Sequence, residues 1–268
     1  MTRPIATAFL ATLLAASGSA QTGVPLSQMT LIERQVEQGG DVRGWLGARE
    51  GESLHTGESL RTAETGLARI ELAWMSLTLS PASTLSLPDD FILSVVLVRG
   101  RVRIASVERD MLKLVTAEAE VRGRGEAVVR RSEGLTLVSC LTGHLLVESA
   151  GRVVALQAGE GTVVRSRRAP TSPVTLPGAP DVLWPADDCA YVPPGQVIEL
   201  AGRGPADAHH LELLAVGNDT VLIDRDVGRS PWRVAIPWPG AFRWRVAARD
   251  EAGLEGAPSP QGLICVDE

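Results

Sequence analysis

Residues 69–87 read RIELAWMSLTLSPASTLSL. Three short alternations sit in this stretch: Arg69-Ile70-Glu71-Leu72, Ser76-Leu77-Thr78-Leu79 and Thr84-Leu85-Ser86-Leu87. A period of two puts Ile70 and Leu72, Leu77 and Leu79, or Leu85 and Leu87 on one face of a strand, whereas a helix would turn each pair apart. The same pattern recurs in Arg101-Val102-Arg103-Ile104 and in Leu135-Thr136-Leu137-Val138. Gly57, Gly66, Pro81, Pro88, Gly100, Gly123, Gly125, Gly134, Gly143, Gly151 and Gly159 punctuate these runs. Turn residues at intervals of roughly 8 to 12 are an all-β signature. Leu112 to Val121 comes nearest to an amphipathic helix, but Val115, Thr116 and Val121 favour a strand.

Outward from this core the pattern breaks at Arg165 to Pro180, where Pro170, Pro173, Pro177 and Pro180 lie among Ser, Thr and Gly. Proline at this density predicts a stiff extended linker. Alternation resumes in Val197-Ile198-Glu199-Leu200, His210 to Val216, Thr220 to Ile223, Trp232 to Ile236 and Phe242 to Ala248. The division that follows is a signal peptide at 1–20, a lead-in at 21–41, a first β domain at 42–168, a Pro-rich linker at 169–181 and a β-sandwich at 182–268.

The N-terminus reads as an address. Arg3 is followed by the apolar run Ile5 to Ala16 and by Ser17-Gly18-Ser19-Ala20, so cleavage is expected after Ala20. No Cys lies near that point, as a lipoprotein would need, and no later run has the length of a membrane span. The mature protein is therefore expected in the periplasm or at the surface of a bacterium, with no transmembrane segment. Lys plus Arg is 26 against 32 for Asp plus Glu, a net charge of −6, which argues against a nucleic-acid partner. Lys113 is the one lysine and Asn218 the one asparagine, a skew that reflects genome composition.

The first β region resembles the FecR domain, a bacterial envelope module of repeated short strands. The likeness is carried by Leu54-His55-Thr56-Gly57-Glu58-Ser59-Leu60-Arg61-Thr62, by the alternation of Ala68, Ile70 and Leu72, and by Leu85 and Leu87. Val98-Arg99-Gly100-Arg101-Val102, Val115 through Val121 with Gly125, Thr136 to Val147, and the closing Leu156-Gln157-Ala158-Gly159-Glu160 complete it. Trp74-Met75-Ser76 and Arg124-Gly125-Glu126 depart from the family's turns. The resemblance implies a β-roll or β-helix in which each coil packs on the next. The C-terminal part resembles a fibronectin type III or immunoglobulin-like sandwich, through Phe242 to Asp250 as the penultimate strand and Ala252 to Ser259 as the turn after it. Phe242 stands where such domains often carry a corner tyrosine.

Candidate chemistry is sparse. Cys189 and Cys265 lie at the two ends of the second domain, and in an exported protein that placement predicts a disulfide. Free thiols, or a pairing with Cys140, are the alternatives. Cys140 itself reads as a buried small hydrophobe. His209 and His210 are adjacent on a strand, so they face opposite sides and are poorly placed to share a metal. His55 and His144 stand alone. The pairs Asp89-Asp90 and Asp187-Asp188 read as turn formers, and no nucleophile elbow, phosphate loop or dinucleotide fingerprint is present. Neither a catalytic site nor a cofactor is expected.

The remaining surface feature is basic. Arg99, Arg101 and Arg103 share a parity, as do Arg122 and Arg124, and Arg130 and Arg131 follow. Such a face could take an acidic glycan or another polyanionic envelope polymer. Alternatively it is a solvated face interspersed with Glu118, Glu120 and Glu126. The expectation is an exported, non-catalytic binding or scaffolding protein, with an envelope protein or a polysaccharide such as peptidoglycan as partner. The FecR resemblance implies an alternative, a periplasmic sensor in an iron and sigma-factor signalling system. In the family's founding type an inner-membrane regulator couples a siderophore receptor to a cytoplasmic sigma factor. Without a membrane helix this chain would have to act through a partner.

Overall fold

The computed structural model describes residues 27–33, 36–40, 44–72, 75–88, 94–106, 112–185, 189–217 and 221–267. The signal-like run, residues 21–26, 34–35 and 41 of the lead-in, Trp74 and both Asp-Asp pairs lie outside these residues. All regular structure among the described residues is β.

The first unit is one continuous sheet that curls over its own core. The alternating runs do what their pattern requires. In Leu67–Leu72 and Met75–Leu79 the apolar positions are buried and Arg69, Glu71, Ser76 and Thr78 are not. Ile70, Leu77, Leu79, Leu85, Leu97, Val102 and Ile104 then meet in one cluster with Val121, Val138 and Leu145. Leu112–Val115 is a strand, as its β-branched residues favour.

Two features differ from a stack of short coils. The ladders are antiparallel, with one parallel pairing, between Leu112–Val115 and Val95–Ser106. Three strands are long: Val95–Ser106, Glu120–Ser132 and Leu135–Ser149 have 12, 13 and 15 residues. Several glycines that read as turns lie inside these strands. Gly100 has φ 94°, and a Cβ there would come within 2.5 Å of the Ser83 Cα. Gly125 and Gly143 face each other across the ladder beside a bulge at Glu126 and Ala127. Glycine thus bends the strand without ending it, which curls the sheet.

The second unit is a sandwich. Asp181–Trp184, Val197–Arg203 and Trp232–Ala235 form a three-stranded sheet. Ala190–Val192, Gly262–Val266, Gly240–Arg249, Ala208–Ala215 and Val221–Val227 follow one another in the other sheet, with Glu255–Pro258 beside Gly240–Arg249. Leu200, Leu211, Leu213, Trp232, Trp244, Val246 and Ile264 fill the space between them. The topology is that of an immunoglobulin-like domain. Phe242 is buried at the corner position, and Trp244 Nε1 donates to the Pro185 carbonyl at 3.0 Å, tying the first strand to the core.

The Pro-rich segment is extended and lies against the first unit. Val174–Thr175 pairs with Gly161 and Glu160. The Thr162 Oγ1 donates to the Thr171 carbonyl at 2.8 Å, and the Val163 amide donates to Thr171 Oγ1 at 3.0 Å.

Candidate functional site: a charged seam between the two units

Burial departs from alternation in two places. Residues 136–141 of Leu135–Ser149 are all buried, and so are residues 209–214 of Ala208–Ala215. A strand buried on both sides has a second layer over its outer face. Here each strand's outer face is covered by the other unit.

Arg101 stands at the centre of this seam. Its strand places Val102 and Ile104 in the core, so Arg101 and Arg103 point the other way. Yet Arg101 is only 4% exposed. Its Nη2 donates to Glu255 Oε1 at 2.7 Å and its Nε to Glu255 Oε2 at 3.1 Å, a bidentate pair. Nη1 donates to Ser80 Oγ at 2.8 Å, and Ser80 Oγ donates in turn to Asp224 Oδ2 at 3.0 Å. Glu212 and Asp224 each lie 3.4 Å from the guanidinium.

Around this centre the charges alternate. His210 has Asp226 Oδ1 2.9 Å from Nδ1 and Asp224 Oδ1 3.1 Å from Nε2. Asp226 accepts from Arg130 at 3.0 and 2.6 Å and pairs with Arg249 at 2.6 Å. Glu212 accepts from Arg245 Nε at 2.5 Å and faces Arg103 Nη1 at 3.6 Å. Two apolar patches flank the charges. Val128, Leu137 and Leu141 meet Leu176 and Leu254 on one side, and Leu67 meets Leu214 and Val221 on the other. The Glu255 amide donates to Ser139 Oγ at 3.0 Å, a backbone tie across the seam.

Each ionised state follows from its neighbours. Burial alone would lower the Arg101 pKa, but Glu255, Asp224 and Glu212 raise it beyond its ordinary value. Burial and Arg101 push the His210 imidazole down. Asp224 and Glu255 more than reverse this, and its pKa rises to about 9. Burial would raise the carboxyl pKa values, yet the neighbouring cations hold Glu212, Asp224, Asp226 and Glu255 below the usual range. Glu212 owes this to Arg245, Arg101 and Arg103, and Asp224 to His210 and Arg101. His210, Glu212 and Asp224 have ligand atoms within 4.8 Å of one another, a spacing that could suit a metal ion. The Arg101 guanidinium already supplies the counter-charge to both carboxylates, so a cation would have to displace it.

The residues singled out in the sequence are therefore divided. Arg101 does not project into solvent, a correction whose cause is the acidic sheet that covers it. Arg103 is half-buried and donates to Glu126 Oε1 at 2.5 Å. Arg99, Arg122 and Arg124 are exposed. Arg122 pairs with Glu120 and Glu148, and Arg124 donates to His144 Nδ1 at 3.3 Å. The five arginines do not make one open basic face. Cys189 and Cys265 are joined in a disulfide, with Cα atoms 5.6 Å apart, beside the parallel pairing of Ala190–Val192 with Gly262–Val266. Cys140 is a fully buried free thiol, and burial and Glu160 push its pKa up to about 11. His209 turns away from His210 and meets Trp232 edge to face, with ring centroids 5.2 Å apart.

His210, Glu212, Asp224 and Glu255 carried no signal as a group, because they come from three separate strands. One clue was legible. Val128, Leu137 and Leu141 lie at parities that an exposed outer face would give to polar residues.

No family model matches the chain, and no curated protein matches it. The FecR resemblance thus rests on the motifs given above. The chain is similar in part to two crystal structures of a proposed anti-sigma factor from Parabacteroides distasonis ATCC 8503, solved at 1.65 and 2.50 Å. Each is 19% identical, with a TM-score of 0.38, and the match covers 44% of this chain and 59% of that one. A likeness at this level assigns no activity to the chain.

Proposed function

We propose that the protein is an exported, non-catalytic binding or scaffolding component of the bacterial envelope. The observation that carries this reading is the closure of the seam. The titratable groups that converge most closely are paired within the chain: Glu212, Asp224 and Glu255 face guanidinium or imidazolium groups, and His210 faces the Asp224 and Asp226 carboxylates. Those groups hold two recognition-type β units as one body and leave their outer faces to meet a partner. The Cys189–Cys265 disulfide fits an oxidising compartment. Among the described residues no helix is long and apolar enough to cross a membrane.

The test is retention of envelope material on the immobilised mature chain, with glycan and protein fractions assayed separately. Saturable retention of one fraction is expected. Recovery of neither would overturn the reading.

A further inference from the structure

One row of side chains on the outside of the first unit belongs neither to the core nor to the seam. Glu37 pairs across the ladder with Arg61, Arg61 with Thr84, and Thr84 with Arg99. Directly paired residues of antiparallel strands project to the same side, so these four share one face across four strands. Two residues along each strand, and so on the same face, a second row holds Ser59 and Ser86 with Gly39 between Ser59 and Trp45. Ser59 Oγ donates to Ser86 Oγ at 3.0 Å. A groove of about 590 Å³ opens beside this row, lined by Glu37, Arg61 and Arg99 from this face and by the inward-facing Val36 and Thr62 where the strands end. That volume falls in the usual range for small-ligand sites.

The two arginines differ in a useful way. Arg61 is held from two sides: its Nε donates to Glu37 Oε2 at 2.5 Å, and its Cζ lies 4.1 Å from the centroid of the Trp45 ring. Arg99 is exposed, and its contact here is a long one, Nε to Thr84 Oγ1 at 3.4 Å. Two guanidiniums and one carboxylate leave a single positive charge in the groove.

We propose that this groove binds an acidic saccharide, with the sugar carboxylate between Arg61 and Arg99. The planar guanidinium takes a carboxylate by two parallel hydrogen bonds. Glu37, in the same lining, accepts from the sugar hydroxyls. Glu37 also discriminates, since it accepts from sugar hydroxyls but repels the closely spaced carboxylates of an acidic peptide. The proposal rests on the binding reading above and names the ligand class for one face. Of the arginines first expected to form a basic face, Arg99 is the one that the groove retains.

The test is calorimetric titration of the mature chain with trigalacturonate, with galactotriose and triglutamate as comparison ligands. Trigalacturonate should bind at least about tenfold more tightly than either, a difference of about 1.4 kcal/mol. Its binding should weaken as salt is raised. Arg99→Glu should weaken it at least about tenfold and Arg99→Ala by less, while Arg122→Glu leaves it unchanged. Arg99 touches neither core nor seam, so both variants should keep the unfolding midpoint of the parent chain. Binding that is absent in the parent, unaltered by Arg99→Glu, or equalled by triglutamate would overturn the proposal. Should envelope material still be retained after such a result, the assignment of this groove falls and the broader binding reading stands.

Discussion

Arg101 and Glu255 are 154 residues apart in the chain, yet Arg101 Nη2 lies 2.7 Å from Glu255 Oε1 in an almost wholly buried pair. The pair joins the outer face of one β unit to a strand of the other. A guanidinium that a sequence reading turns toward solvent thus meets its ligand within the same chain.

Removing one member of this pair strands the other. Arg101→Met should lower the free energy of unfolding by about 3–5 kcal/mol, the usual cost of leaving a buried charge unpaired. Arg122→Ala, whose partners Glu120 and Glu148 are partly exposed, should change it by about 1 kcal/mol or less. Urea unfolding of both variants checks the contrast, and equal effects would contradict it.

The seam should respond to pH through His210. Its folded pKa of about 9 lies above the unfolded value of about 6.5, so the stabilisation is complete below about pH 6.5 and is lost as pH rises through 9. The carboxylates act in the opposite direction. Their depressed folded values give a contribution present above their unfolded pKa of about 4 and lost as pH falls below it. The stability gap between the parent and His210→Gln should therefore narrow from pH 6.5 to pH 9.5. A gap that is constant over this range would show that the imidazolium is not what His210 contributes.

The disulfide closes a 76-residue separation. By the chain-entropy relation, replacing Cys189 and Cys265 by Ser should cost roughly 4 kcal/mol, read as a lower unfolding midpoint. An unchanged midpoint would contradict this.

Cys140 is fully buried, with its thiol pKa raised to about 11. At pH 8 a thiol reagent should label no cysteine in the native chain and one after unfolding without reductant. Labelling of the native chain at the rate of a free thiol would mean that the strand carrying Cys140 opens.

The fold was legible wherever one face of a strand meets the core and the other meets water. Ile70, Leu77, Leu85 and Ile104 obey the period of two, and Cys189 and Cys265 paired as their placement predicts. Glycine was harder to read. Gly100, Gly125 and Gly143 look like turns because turns need glycine, but so does a sharply bent strand. The seam was hidden for a different reason. Parity tells which way Arg101 points and not what lies there, and the covering carboxylates belong to strands more than 100 residues away. Its trace in the sequence is the apolar character of Leu137 and Leu141 on a face that an isolated sheet would give to water.

Buried charge joins the two β units as one body, and a double-mutant cycle on Arg101→Met and Glu255→Gln is the sharpest check of that joint. Both singles and the double are measured by denaturant unfolding at neutral pH. A coupling free energy of at least about 1.5 kcal/mol is expected, with the double variant more stable than the sum of the single losses would allow. Strictly additive losses would contradict it.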